Sequence, residues 1–187
     1  MRQAWMLGAA VGLLALPLAA ADHLPRYTED GRLLAPTDYR EWIYLTSGFD
    51  MSYAEPNAAS AAAGSPSRFD NVFVTPEAYR AFLDTGTWPD KTVLVLEVRA
   101  AGSNASINKQ GHFQTGDRFA LEVHVKDVER FPGDWAFFGF SGAEPAKMIA
   151  MTAQCYSCHL QHGGVDTTFV QFYPTLLPIA QAKRTLR

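Results

Sequence analysis

Residues 155–159 of this 187-residue chain read Cys-Tyr-Ser-Cys-His. Two thiols three positions apart can add across the two vinyl groups of a haem, and the histidine that follows at once can reach its iron, so the pentapeptide is a c-type haem attachment signature. A redox dithiol, half of a zinc site and chance are the competing readings. A zinc site would call for further Cys or His at paired spacing, yet Cys155 and Cys158 are the only cysteines in the chain. A redox Cys-x-x-Cys is expected where a strand-helix-strand unit starts, whereas this motif stands close to the C-terminus. The reading adopted is one covalently attached haem c, with Cys155 and Cys158 as its anchors and His159 as the ligand to iron.

The first residues set the context for that chemistry. Met1-Arg2 is followed by an apolar run from Ala4 to Ala21, interrupted only by glycine and Pro17 and ending Leu18-Ala19-Ala20-Ala21. A charged start, a short apolar centre and small residues before the cut are the marks of a secretory signal peptide, here residues 1–21. An uncleaved anchor is the alternative. Haem is attached to such motifs outside the bacterial cytoplasm, so the expected location is the periplasm. Residues 22–187 then form one domain, long enough for a real core. Losing Arg2 leaves 15 basic residues against 19 acidic ones, a formal charge of −4 that offers nothing to nucleic acid. Twelve Phe and four Trp can line a large flat cofactor or fill an ordinary core equally well.

Hydrophobic patterning predicts an α+β fold, mainly antiparallel β-sheet with a few helices. Residues 22–38 carry Pro25, Gly31 and Pro36 without a sustained period and read as an irregular arm over the domain. A short helix passing into a strand is predicted over Tyr39–Thr46, a loop over Ala54–Ser67, and a strand over Phe69–Val74. Thr75-Pro76-Glu77 is a helix start with Thr75 as cap, Gly86 is its stop, and Tyr79, Phe82 and Leu83 form its apolar face. Thr92–Arg99 is a nearly continuous apolar run expected to be a central strand, and residues 101–116 connect it to the next. From Arg118 to Lys126 the residues alternate, with Phe119, Leu121, Val123 and Val125 on one face and Ala120, Glu122, His124 and Lys126 on the other. Trp135–Phe140 is a further strand. Pro145–Ala153 has helical spacing leading into the motif, and a short helix follows Pro174.

This order of elements does not suit an ordinary electron-carrier cytochrome c, which is small, nearly all helical, and bears its haem motif near the N-terminus with a methionine ligand far downstream. Here 28 residues follow His159 and none is methionine. The chain resembles the cytochrome P-460 family, which includes the cytochromes c′-β. The resemblance lies in Tyr39-Arg40-Glu41-Trp42, Val74-Thr75-Pro76-Glu77-Ala78-Tyr79, the strand from Thr92, Val125-Lys126-Asp127, Gly133-Asp134-Trp135-Ala136-Phe137, the haem pentapeptide, and Phe169-Val170-Gln171-Phe172-Tyr173-Pro174. It implies a homodimer of antiparallel sheets, one c-type haem per subunit, a proximal histidine and an open distal site. It also carries a departure. Members that oxidise hydroxylamine bear a lysine joined to the haem edge on the strand matching Thr92–Arg99, and the resemblance places Leu96 there.

The remaining candidates have ordinary roles to set beside functional ones. His112, His124 and His162 are sixth-ligand candidates, although lone histidines are more often surface or core residues. Met148 and Met151 read as core packing on a helix. Phe49, Phe69, Phe73 and Phe113 are candidates for an apolar distal cap, with Phe73 and Leu96 chosen as cofactor contacts. Glu97, Arg99 and Lys109 are polar candidates that a solvated edge or loop explains as well. The function expected is a five-coordinate haem protein that binds a small ligand such as nitric oxide or carbon monoxide. Oxidation of hydroxylamine or a related nitrogen compound is the alternative, and plain electron transfer to a redox partner a third reading.

Overall fold

The computed structural model describes residues 23–51 and 66–187. The expected signal peptide and nearly all of the Ala54–Ser67 loop lie outside the described residues. Among the described residues no helix is long and apolar enough to cross a membrane.

Among the described residues five strands, β1 (Ile43–Phe49), β2 (Arg68–Val74), β3 (Val93–Gly102), β4 (Phe113–Lys126) and β5 (Trp135–Phe140), form one antiparallel sheet in sequence order, with β3 at its centre. The α+β expectation, mainly antiparallel, is what the chain adopts. Successive side chains on a strand point to opposite faces, so the register sorts the residues. One face carries Phe73, Val95, Val123 and Phe138 side by side. The other carries Val74, Leu94, His124 and Phe137 in one row, and Val72, Leu96, Glu122 and Gly139 in the next.

Each face has its own core. The first packs Leu33 of the N-terminal arm, Tyr39, Trp42, Phe131 and Ala146 against the sheet. The arm is held by a bridge from Leu33 to Tyr27 and another to Ala146, so it lies over the domain as its composition suggested. The second face is covered by helix α1 (Pro76–Thr85) and by the C-terminal segment, with Phe82, Trp88, Trp135, Val165, Val170 and Leu176 at its centre. Burying side chains of this size contributes roughly 1.5–3 kcal/mol each.

α1 starts and stops where expected, but two details differ. Thr75 makes no side-chain cap hydrogen bond, and the buried residues are Ala78 and Phe82, while Leu83 faces out. Pro76 at the first helical position has no N–H of its own to leave unsatisfied, and its fixed φ suits the helix start. Gly86 ends the helix in the left-handed conformation, φ +75°, where a Cβ would meet Lys183 Cβ at 2.7 Å. The packing of α1 on the C-terminal helix α3 (Leu177–Lys183) therefore requires glycine there twice over.

The alternation in β4 fails at one residue. Phe119 is half exposed although it shares a parity with Leu121, Val123 and Val125. The β3–β4 register shifts between Val98 and Arg99, pairing Val98 with Ala120 but Arg99 with Arg118, which leaves Phe119 as the unpaired residue of a bulge. Its partner expectation is also corrected. His124, on the face predicted to be polar, is buried because the C-terminal segment covers that face.

Residues 145–153 are not helical. Ala146 bridges Leu33, Met148 bridges Phe138, and Ile149 N–H donates to Phe137 O at 2.8 Å, so the segment runs along the outer edge of β5 and satisfies backbone groups that an edge strand leaves open. Met148 and Met151 accordingly lie on no helix and are exposed rather than packed.

Candidate haem site

The motif lies on a two-turn helix, α2 (Gln154–His162), that ends at Gly163. On a helix, residues three and four apart are neighbours, so Cys155, Cys158 and His159 share one side. Both thiols are unpaired and half-buried. Tyr156, the first spacer residue of the motif, fastens α2 to the sheet: its hydroxyl donates to Ile149 O at 3.0 Å and accepts from Phe137 N–H at 3.3 Å. Burial pushes the phenol's pKa up, so it remains a neutral donor. Nothing in the spacing of the motif announces this role.

His159 stands against the second sheet face. Its ring is 4.6 Å from that of Phe137, 4.3 Å from Phe169 and 5.3 Å from His124. Its Nδ1 is 2.7 Å from Thr167 O. A carbonyl can only accept, so Nδ1 carries the proton and Nε2 keeps its lone pair. Burial lowers the pKa of His159, and the Thr167 bond opposes that in part. The result is a neutral imidazole with one nitrogen committed and the other available, the state in which histidine binds a metal.

His124 is close by but differently engaged. Its ring stacks on Phe137 at 3.9 Å, and its Nε2 shares a 3.3 Å hydrogen bond with Thr167 Oγ1. Burial, with a smaller contribution from His159, lowers its pKa well below the usual histidine value. It lies on the same side as His159 rather than across from it. His162 is exposed at the end of α2, and His112 stacks on Phe49 at 4.7 Å.

The structure separates the two proposed cofactor contacts on β2 and β3. Leu96 is on the sheet face that carries His124 and Phe137, one row further along, between Val72 and Glu122. Phe73 is on the opposite face, buried among Tyr39 and Tyr44 with ring separations of 5.6 and 5.8 Å. Within this chain it is a core residue, and the sheet stands between it and His159. Phe49 and Phe69 pair with each other at 4.9 Å at the ends of β1 and β2. Phe113 starts β4 and is partly exposed.

Glu97 and Arg99 are not a solvated edge. Glu97 is fully buried on the first face, where its Oε1 accepts from Tyr39 Oη at 2.6 Å, Arg99 Nη2 at 2.7 Å and Arg40 Nη2 at 3.0 Å. Burial alone would raise its pKa, but the bonds from Arg99 and Tyr39 and the Arg40 charge outweigh that and hold it low. Lys109 reaches only Ser106 O in its own loop. Glu122, which sequence reading placed simply on a polar face, lies beside Leu96 with its pKa raised, first by desolvation and then by Asp70.

A cavity of about 480 Å³ adjoins α2, lined by Gln154, Ser157, Cys158, Phe169, Gln171 and Phe172 among others. Gln171 Nε2 donates to His162 O, while its Oε1 is buried without a partner. The cavity meets the motif at Cys158 and is of the size usual for a ligand site. The donor set fits a haem: two free thiols, an imidazole with Nε2 available, and aromatic rings around it.

Residues 36–170 match the Cytochrome P460 family, a stretch that takes in the whole sheet, α1 and the pentapeptide. The chain belongs to the cytochrome P460 family. The resemblance seen in the sequence motifs is thus shown across most of the chain, and with it a haem cofactor and a haem cytochrome of the cytochrome c′-β kind. No curated protein matches the chain. In this cytochrome P460 family member β3 reads Val-Leu-Val-Leu-Glu-Val-Arg-Ala-Ala-Gly and contains no lysine. Lys91, just before the strand, is engaged with Asp127.

Proposed function

We propose that the protein is an exported mono-haem c-type cytochrome, joined to its haem through Cys155 and Cys158, with His159 as the only protein ligand to iron. It works in the periplasm as a homodimer and binds a small neutral ligand, nitric oxide or carbon monoxide, at the open side of the haem. The observation that carries this reading is the 2.7 Å hydrogen bond from His159 Nδ1 to Thr167 O, which leaves Nε2 as the single prepared ligand in the motif. When bound, the haem supplies an iron with one open coordination position.

The chain's own residues do the rest. Tyr156 fixes the helix, Thr167 fixes the imidazole, and Phe137 and Phe169 restrict its rotation. Leu96 in place of lysine offers apolar contact and no covalent link, so the means of tuning reduce to the ligand, pocket polarity and burial. Leu96 and Val72 add apolar surface to the sheet face that carries His124 and Phe137.

Acid-acetone extraction and peptide mapping test the attachment. Haem should stay with the wild-type peptide containing residues 155–159 and become extractable in a Cys155→Ala, Cys158→Ala variant. Haem extractable from the wild-type protein would refute covalent attachment. Negligible hydroxylamine turnover is expected; steady oxidation, with a haem peptide that includes β3, would favour the catalytic reading instead.

A further inference from the structure

The acceptor of the His159 hydrogen bond is the tip of a tight turn. Val165 and Thr168 bridge each other, with Thr168 N–H donating to Val165 O at 3.0 Å, and Asp166-Thr167 forms the tip. Asp166 has φ +50°, a left-handed conformation that an L-residue adopts at a cost of roughly 1–2 kcal/mol, tolerated better by Asp than by most. A strained tip needs neighbours that hold it.

Three side chains do so, one from the segment before β3 and two from β4. Trp88 Nε1–H donates to Thr168 Oγ1 at 2.7 Å in the second core. His124 bonds Thr167 Oγ1. Lys126, two residues along β4 on the same face, donates to Asp166 Oδ2 at 3.0 Å and to Trp88 O at 2.9 Å, with its ammonium 5.6 Å from the Trp135 ring. Lys126 thus ties the turn to both Trp88 and the sheet, and it is mostly buried while doing so, with 15% of its side chain exposed.

We propose that Lys126 is a positioning residue for the iron ligand: through Asp166 it holds the Thr167 carbonyl on His159 Nδ1–H. This rests on the reading of His159 as the axial ligand and extends it. A firm bond at Nδ1 makes the imidazole a stronger donor at Nε2, which favours the oxidised iron. Releasing the turn weakens that bond and has the opposite effect.

The test uses the haem-loaded, full-length protein and its Lys126→Met and Lys126→Arg variants. Lys126→Met keeps the apolar stem over Trp135 and removes the charge. Resonance Raman of the ferrous state should show its iron–histidine stretch shifted to lower frequency, and redox titration should show its reduction potential shifted upward, with Lys126→Arg restoring both toward wild type. If Lys126→Met does not accumulate as holoprotein, Asp166→Asn removes only the ionic partner and should shift both quantities the same way. A variant that loses thermal stability while stretch and potential stay at wild-type values overturns the proposal and leaves Lys126 a purely structural residue. A wild-type protein with no iron–histidine stretch defeats the reading of His159 itself, and the proposal with it.

Discussion

The two faces of the sheet solve the same problem with different chemistry. On the first, the buried charged group is Glu97, and its partners are two guanidinium groups, a phenol and the side-chain amide of Asn71. On the second, His124, Thr167 and Thr168 are satisfied by neutral hydrogen bonds, and a nearby cation, Lys126, bonds the rim of a turn. A buried carboxylate is costly to leave unpaired, so the first cluster ties β3 to the 3-10 turn at Tyr39–Glu41 and fixes how the fold closes. Neutral bonds cost less and leave a histidine uncharged. That is the requirement at a site where an imidazole must bind metal.

Breaking the charged cluster should therefore have a large effect on folding and little on the haem site. Glu97→Ala strands Arg99 beside the core and should destabilise the protein by about 3–5 kcal/mol. Urea unfolding measures this, and the haem absorption bands of the surviving folded fraction should match those of the wild type. A spectral change as large as that of a site variant would show that the faces are not independent.

Acid sharpens the same contrast. Glu97 has a folded pKa below its unfolded one, so it stabilises fully above the unfolded value of about 4.3 and the contribution is lost as pH falls toward the folded value. The slope from this one proton is at most about 1.4 kcal/mol per pH unit. Stability of Glu97→Gln, measured from about pH 5 to about pH 3 across the unfolded carboxyl range, should be flatter by that amount. An unchanged slope would mean that the carboxylate is not held as described.

The smallest effect is expected on the second face. Thr167→Val removes the hydroxyl bonded to His124 while keeping the size of the side chain, so about 1 kcal/mol should be lost. Because the turn carrying Thr167 loosens, the iron–histidine stretch should move while global stability hardly does. This is the reverse of the Glu97 outcome.

Much of the fold was legible because its causes are local. Alternation in β4, the Thr-Pro-Glu start and glycine stop of α1, and the apolar run of β3 each need only neighbours in sequence to be read. Residues 145–153 were misread as a helix because their spacing is set by the partners they meet, Leu33 and Phe138, which are distant in sequence. Phe73 and Phe119 could not be placed from local sequence for a related reason: one depends on which face the covering segments choose, the other on a bulge that changes the count by one residue. In the candidate site, Cys155, Cys158 and His159 were proposed from the chemistry of the motif. Tyr156, Thr167 and Lys126 were not, since a carbonyl acceptor can belong to any residue, and their roles arise only when the 163–168 segment folds back on α2 and β4.

Absorption and resonance Raman spectra of the purified ferrous protein, before and after carbon monoxide, test the central claim most directly. The account predicts a high-spin, five-coordinate haem with a single iron–histidine stretch that disappears in His159→Ala, and a spectrum that changes fully on adding carbon monoxide. A low-spin, six-coordinate ferrous haem that ignores carbon monoxide would contradict it.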